Sequence, residues 1–251
     1  PDGAESDAAP WWRARRKELL SLANEATPRY VYDEATIRAK AAELRAAAAI
    51  DRPFYAMKAN SHPGVLRVLH DEGLSFECVS PGEVERVQSL FPDIDPDRIL
   101  FQPNFAAAEE YAQAFAAGIH VTLDNLHPLL HHPDIFADEA FFVRVDPGRG
   151  HGHHRHVRTA GAQSKFGVVP SELDRLYAQA NAIGARIKGL HVHVGSGITD
   201  ESTWSEIADF LASLADERSD VNILNVGGGL GVPERPNAAP LDIAQVTDRL
   251  A

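Results

Sequence analysis

Lys58 closes a short apolar run, Phe54-Tyr55-Ala56-Met57-Lys58-Ala59-Asn60, and His62-Pro63-Gly64 follows. Such a run reads as a buried strand, and an ammonium at its carboxyl end does nothing for the strand itself. In α/β folds that end of a parallel sheet is where ligands bind and chemistry is done. Lysine is also the side chain that forms Schiff bases, because desolvation and neighbouring cations lower its pKa and free the amine. A solvated strand-end lysine fits this segment alone equally well, so the rest of the chain has to decide.

A second segment is Gly189-Leu190-His191-Val192-His193-Val194-Gly195-Ser196-Gly197. Side chains alternate along a strand, so His191 and His193 share a side. The strand then breaks into glycines around Ser196. A histidine at a strand end can pack flat on a bound ring, and a Gly-Ser-Gly turn lets N–H groups and a hydroxyl approach an anion. The competing reading is a satisfied core histidine beside an ordinary turn.

The third segment, Asn225-Val226-Gly227-Gly228-Gly229-Leu230-Gly231, places four glycines within five residues after another strand-like run. Consecutive exposed N–H groups can cradle a phosphate. A dinucleotide fingerprint competes here, but Val232 stands where its third glycine belongs and Pro233 follows instead of a helix. Alone, the glycine run is also a plain turn. Together the three segments describe one ligand, a planar ring carrying an aldehyde and a phosphate. Lys58 supplies the imine, a histidine of the second segment the ring contact, and the two glycine turns the phosphate site. That ligand is pyridoxal 5′-phosphate.

These residues need a scaffold, and the chain supplies an alternating one. Residues 1–10 read as a linker, Trp11–Ala23 as a helix, and Tyr30-Val31-Tyr32 as a short strand ending at Asp33, a helix N-cap. The helix after it carries Ile37, Ala41, Leu44 and Ala48 on one face. Strand-like runs then fall at 53–57, 75–79, 98–102, 119–123, 141–145, 187–193 and 221–226. Amphipathic helices intervene, one on Tyr111 and Phe115, one on Leu173 and Leu176, and one on Trp204, Ile207 and Leu211 behind a Thr203/Glu206 capping box. Strands alternating with helices imply βαβ units and a parallel sheet. Seven strands fit either a barrel lacking its last βα unit or an open doubly wound sheet.

Composition narrows the classes further. A net charge of −12 argues against non-specific nucleic-acid binding and against docking on anionic membranes. No run of about 18 apolar residues appears, so no transmembrane helix is expected. The single cysteine, Cys78, excludes a disulfide framework and fits a reducing cytoplasm. The chain opens on Pro1 and stops at Ala251 inside a helical pattern, and so reads as part of a longer polypeptide.

The ordered motifs resemble those of fold-type III pyridoxal-phosphate-dependent decarboxylases. The resemblance rests on Tyr55-Ala56-Met57-Lys58-Ala59-Asn60, Phe76-Glu77-Cys78-Val79-Ser80-Pro81-Gly82-Glu83, Ser164-Lys165-Phe166-Gly167, and the two segments ending at Gly197 and Gly231. It implies an alanine-racemase-like (β/α)₈ TIM barrel over residues 28–251, incomplete at about seven βα units and lacking the C-terminal β domain. Residues 1–27 are then a linker and N-terminal helix. Within the family the chain looks most like the diaminopimelate decarboxylases, since His154 and Thr159 lead into Lys165-Phe166-Gly167, although Ala160 replaces a usual glycine. The Trp11-Trp12-Arg13 helix also resembles the decarboxylase half of bifunctional aspartate kinase–diaminopimelate decarboxylases.

By that resemblance Lys58 and His193 are catalytic, with Lys58 bonded to the cofactor and His193 stacked on its ring. Ser196 and Gly227, Gly228 and Gly229 hold the phosphate, while Glu77 and Arg144 form an acid–base pair below the cofactor. The implied reaction converts meso-2,6-diaminopimelate to L-lysine and CO₂, in a homodimer when full length. The family's Glu-Pro-Gly segment and C-terminal Cys and Tyr motifs are absent, so this stretch alone is expected to be inactive. Decarboxylation of another basic amino acid, of the ornithine, arginine or lysine type, is the nearest rival. A pyridoxal-phosphate-binding barrel without turnover is a second, and a structural half-barrel a third.

His151, His153, His154 and His156 lie among arginines with no acidic or cysteine cluster at ligand spacing, which makes them a polar loop rather than a metal site. By position such a loop could cover the site and read a distal substrate carboxylate. Cys78 reads as a small buried strand residue, and His120, His127, His131 and His132 as surface or helix-end residues.

Overall fold

The computed structural model describes residues 10–148, 165–233 and 239–250. Seven parallel strands fall on the seven expected runs: β1 (Phe54–Ala56), β2 (Ser75–Cys78), β3 (Ile99–Phe101), β4 (His120–Leu123), β5 (Ala140–Arg144), β6 (Arg186–His191) and β7 (Ile223–Asn225). They are hydrogen-bonded in chain order from β1 to β7. A doubly wound sheet would reverse direction at a switch point, so the strand order selects the barrel.

The sheet also curls. Gln102, just past β3, brings its side-chain nitrogen to 3.1 Å from Nε2 of His191 at the end of β6. Three strand spacings would separate these residues by roughly 14 Å on a flat sheet. Among the described residues β1 pairs only with β2 and β7 only with β6, so the curl stays open. Ile223 and Leu224 on that last strand are each 40% exposed.

Helices follow the strands along the outer face. α1 (Trp11–Ala14), α2 (Arg16–Glu25) and α3 (Glu34–Arg45) precede the sheet, and α4 (Pro63–Asp71), α5 (Pro81–Leu90) and α6 (Ala108–Ala116) alternate with β1 to β4. Between β4 and β5 lie the short α7 (His127–His131) and α8 (Pro133–Phe136), followed later by α9 (Pro170–Ala182), α10 (Ser202–Ala215) and α11 (Ile243–Asp248). The apolar positions form one continuous core, with aromatic rings relaying from Phe101 through Tyr111 and Phe136 to Phe141. The strand residues of opposite parity face the concave side. There the buried polar side chains gather, among them Gln102, Thr122, Asp124, Arg144 and His191.

Local departures from the sequence reading have physical causes. Tyr30-Val31-Tyr32 is not a strand; among the described residues no strand pairs with it, and Tyr30 is 90% exposed. Asp33 does cap α3, accepting the Thr36 N–H at 2.9 Å. The first helix breaks at Arg15, so Trp11–Ala23 becomes two pieces. Helix α10 starts two residues before a Thr203 cap would allow, with the Ser202 N–H held by Asp200 at 3.0 Å. Thr203 is thereby buried with its hydroxyl unbonded, and the capping box does not form.

His120 is neither at the surface nor at a helix end. It opens β4, its Nδ1 2.9 Å from Lys188 Nζ and its ring against Phe142. A bulge explains the contact. Phe141 faces Ile187 and Phe142 faces Gly189, so Lys188 is an extra residue turned toward the concave side. Cys78 is fully buried in β2, 3.5 Å from the Met57 sulfur, and burial pushes its thiol pKa far up.

Candidate active site

The site residues gather where the strands end. Strand β1 passes into a single 3₁₀ turn, Met57–Ala59. Met57 is wholly buried, and that anchor turns the next side chain, Lys58, toward the mouth of the curled sheet. Lys58 Nζ stands 3.6 Å from Oε1 of Glu77, which neighbours Ala56 across β1 and β2. The lysine side chain is 57% exposed and Glu77 17%, so the ammonium is reachable from solvent while its partner is largely covered.

His193 lies two residues past β6 and is half-buried. Its pKa is pushed down to about 4, mainly by burial and further by the charges of Arg144 and Lys58. The ring is therefore neutral near pH 7, with the Lys58 charge among those that act on it. Its Nδ1 accepts the Gly228 N–H at 3.5 Å.

Glu77 and Arg144 are not partners. Arg144 ends β5 and pairs with Asp124 Oδ1 at 3.1 Å, just past the adjacent β4. It also donates to Asn104 Oδ1 at 3.0 Å and lies over the Phe166 ring, 4.8 Å from its centroid. Glu77 sits three strands away on β2 and turns to Lys58 instead. Burial raises the Asp124 pKa against the opposing pull of Arg144 and the Gly167 N–H.

The two glycine segments meet backbone to backbone. A Cβ on Gly227, at φ +74°, would lie 2.4 Å from the Val192 carbonyl oxygen. One on Gly229, at φ +85°, would lie 2.1 Å from that of Gly195. The Ile198 N–H donates to the Gly229 oxygen at 2.9 Å, and the Gly231 N–H to the Ile198 oxygen at 2.7 Å. Ser196 is exposed above this junction. Lys58, Glu77, His193, Ser196 and Gly227 to Gly229 are thus brought to one end of the sheet, and Arg144 lies beneath them.

Asp124, Asn104 and Gln102 are the polar residues that motif reading missed. Gln102 and Asp124 each follow a strand-like apolar run directly, as Lys58 does, and Asn104 comes two residues after Gln102; that placement is the signal that could have found them. His151, His153, His154, His156, Thr159 and Ser164 lie outside the described residues. Among the described residues no cluster of three or more His, Cys, Asp or Glu could hold a metal ion, and no helix is long and apolar enough to cross a membrane. A cavity of about 400 Å³ lined by Arg45, Arg52, Ser75, Asp97 and Arg98 lies at the opposite, amino-terminal end of the strands.

Parallel strands curled in chain order, with lysine, carboxylate and imidazole at their carboxyl ends, define an incomplete barrel of the alanine-racemase type. The chain belongs to the pyridoxal-dependent decarboxylases: residues 34–251 match that family's pyridoxal binding domain. It is 35% identical over 245 residues to a diaminopimelate decarboxylase of Methanothermobacter thermautotrophicus, covering 93% of this chain, and 30% identical over 251 residues to that of Streptomyces coelicolor, covering 99%. It spans only 56% of the length of either relative. A solved Helicobacter pylori diaminopimelate decarboxylase, complexed with L-lysine, superposes with a TM-score of 0.82 at 26% identity, over 94% of this chain and 61% of the other.

The residues present fit the family's cofactor, pyridoxal phosphate. An amine, a neutral flat ring and a main-chain junction too tight for any Cβ at Gly227 or Gly229 stand at one mouth. Gly228 has open space beside its Cα. A phosphate could approach the main chain there.

Proposed function

We propose that this chain supplies the cofactor-binding half of a diaminopimelate decarboxylase, acting on meso-2,6-diaminopimelate to give L-lysine and CO₂. The observation that carries the reading is the meeting of Lys58, Glu77 and neutral His193 beside the Gly227–Gly229 junction. The likeness to diaminopimelate decarboxylases supports the substrate.

In this reading Lys58 provides the amine that bonds the cofactor, and Glu77 steadies that amine between turnovers. His193 offers an uncharged ring face to the pyridine. Ser196 and the turn of Gly227, Gly228 and Gly229 receive the phosphate, with the Gly227 N–H held by Asn225 Oδ1 to shape that turn. Arg144, held by Asp124 and Asn104, keeps a fixed positive charge under the site. When bound, pyridoxal phosphate supplies the conjugated ring that accepts electrons as the carboxylate leaves. A homodimer in the cytoplasm completes the proposal, supported by the family resemblance and by the lone buried thiol of Cys78.

The test is an absorbance spectrum with pyridoxal phosphate for wild type and Lys58→Ala, with borohydride reduction and peptide mapping. A visible band lost in the variant, with label on Lys58, is expected; a wild-type spectrum without it overturns the reading. CO₂ release by the full-length protein from diaminopimelate, against ornithine, lysine and arginine, then decides the substrate.

A further inference from the structure

Beneath the mouth, four residues from β3, β4, β6 and β7 or their ends form one directional hydrogen-bond relay. Thr122 Oγ1 in β4 donates to Gln102 Oε1 at 3.2 Å. Gln102 Nε2 stands 3.1 Å from His191 Nε2, and His191 Nδ1 stands 3.2 Å from the Asn225 carbonyl oxygen. The far end sets the polarity. A carbonyl oxygen only accepts, so the proton sits on Nδ1. His191 is 1% exposed, and burial, reinforced by the charge of Arg144, holds its pKa well below the usual value. The neutral ring must then accept at Nε2, which calls for the amide nitrogen of Gln102 and leaves its oxygen for Thr122. Flipping the amide would set two acceptors face to face.

The relay ends at the glycine junction. Asn225 closes β7, and its side-chain oxygen accepts the Gly227 N–H at 2.9 Å. Its carbonyl also takes the Val192 N–H at 3.0 Å, so both segments of the junction hang on this one residue.

We propose that His191 is a positioning residue: with Gln102 and Thr122 it fixes the main chain of Asn225 and so sets the Gly227–Gly229 turn against the cofactor's phosphate. The proposal rests on the pyridoxal-phosphate reading and extends it to residues that do not touch the cofactor.

Thr122→Val and Gln102→Met cut the relay with little change in volume, and Thr122→Ser keeps it. Leu190→Val, a wholly buried neighbour of opposite parity on β6, is the control for general loosening. Two readouts are needed: affinity for pyridoxal phosphate against unphosphorylated pyridoxal, and hydrogen exchange of peptides over 223–231 in cofactor-free protein. We expect both cutting variants to lose about fivefold to tenfold in affinity for the phosphorylated form only, the size of one hydrogen bond. Loop exchange should quicken, and Thr122→Ser should behave as wild type. An unchanged preference with unchanged exchange overturns the proposal, as does a Leu190→Val variant that shifts both equally. If the wild type binds neither form, the functional reading falls and the phosphate role with it. Exchange in Gln102→Met no faster than in Leu190→Val then overturns the relay as well, whereas faster exchange upholds it as the device that holds the loop.

Discussion

Arg144 and Asp124 form an ion pair at 3.1 Å with their side chains 8% and 2% exposed. The second oxygen of Asp124 accepts the Gly167 N–H at 3.2 Å, so the pair also pins the segment after Lys165. Removing one partner of such a pair leaves a buried charge with nothing to neutralise it. Asp124→Ala should therefore lower the unfolding free energy by about 3–5 kcal/mol, and Asp124→Asn by less. Urea unfolding measures both; equal stability of Asp124→Ala and wild type would contradict the pairing.

Gly229 and Gly228 are neighbours with opposite tolerance. An alanine at Gly229 combines φ +85° with a Cβ 2.1 Å from a carbonyl, whereas at Gly228 nothing lies within 4 Å. Gly229→Ala should cost roughly 2 kcal/mol or more and abolish pyridoxal-phosphate binding. Gly228→Ala should stay within about 0.5 kcal/mol of wild type. Matching urea midpoints for the two variants would show the junction to be looser than described.

Acid should destabilise the fold in a defined window. His193 and His120 are both held at about 4 by burial, against 6.5 for a free histidine, and His191 is lowered too. Between these values the unfolded chain binds more protons, so stability falls as pH drops from about 6.5 toward 4. Asp124, pushed up by burial, works in the opposite sense and only in the carboxylate range. Urea unfolding from pH 7 to 4 should show that slope, and His120→Asn should make it shallower. An identical slope in the variant would remove His120 from the account.

Strand β7 should be a point of self-association. Its outer edge has no partner among the described residues, and Ile223 and Leu224 are both part-exposed there. Leu224→Lys should reduce concentration-dependent light scattering of this chain. Scattering that persists unchanged would place the sticky surface elsewhere.

What could be read in advance was what local sequence determines. Lys58, His193 and Gly227–Gly229 each follow their own apolar run, so alternation and chain order sufficed to bring them to one end. Asp124 and Asn104 escaped because their role exists only once β4 lies beside β5, the curl brings the end of β3 near, and Arg144 needs partners. The Glu77–Arg144 pairing failed for the same reason, since β2 and β5 are not neighbours. Tyr30-Val31-Tyr32 shows the reverse error, strand propensity with no strand beside it. The Thr203/Glu206 pattern was a real signature in the wrong register, outcompeted by Asp200.

The identity of strand order and chain order has a temporal consequence. As the polypeptide leaves a ribosome, each βα unit emerges beside a neighbour already formed, and pairing proceeds without waiting for a remote segment. The Gln102–His191 and Lys188–His120 contacts are exceptions, because they join strands that are not neighbours and lie far apart in synthesis. The outer, helix-covered layer can therefore assemble stepwise while the part of the polar interior built on His191 waits for β6 and β7. Its hydrogen bonds are the last to close, so the site takes its shape only at the end of folding.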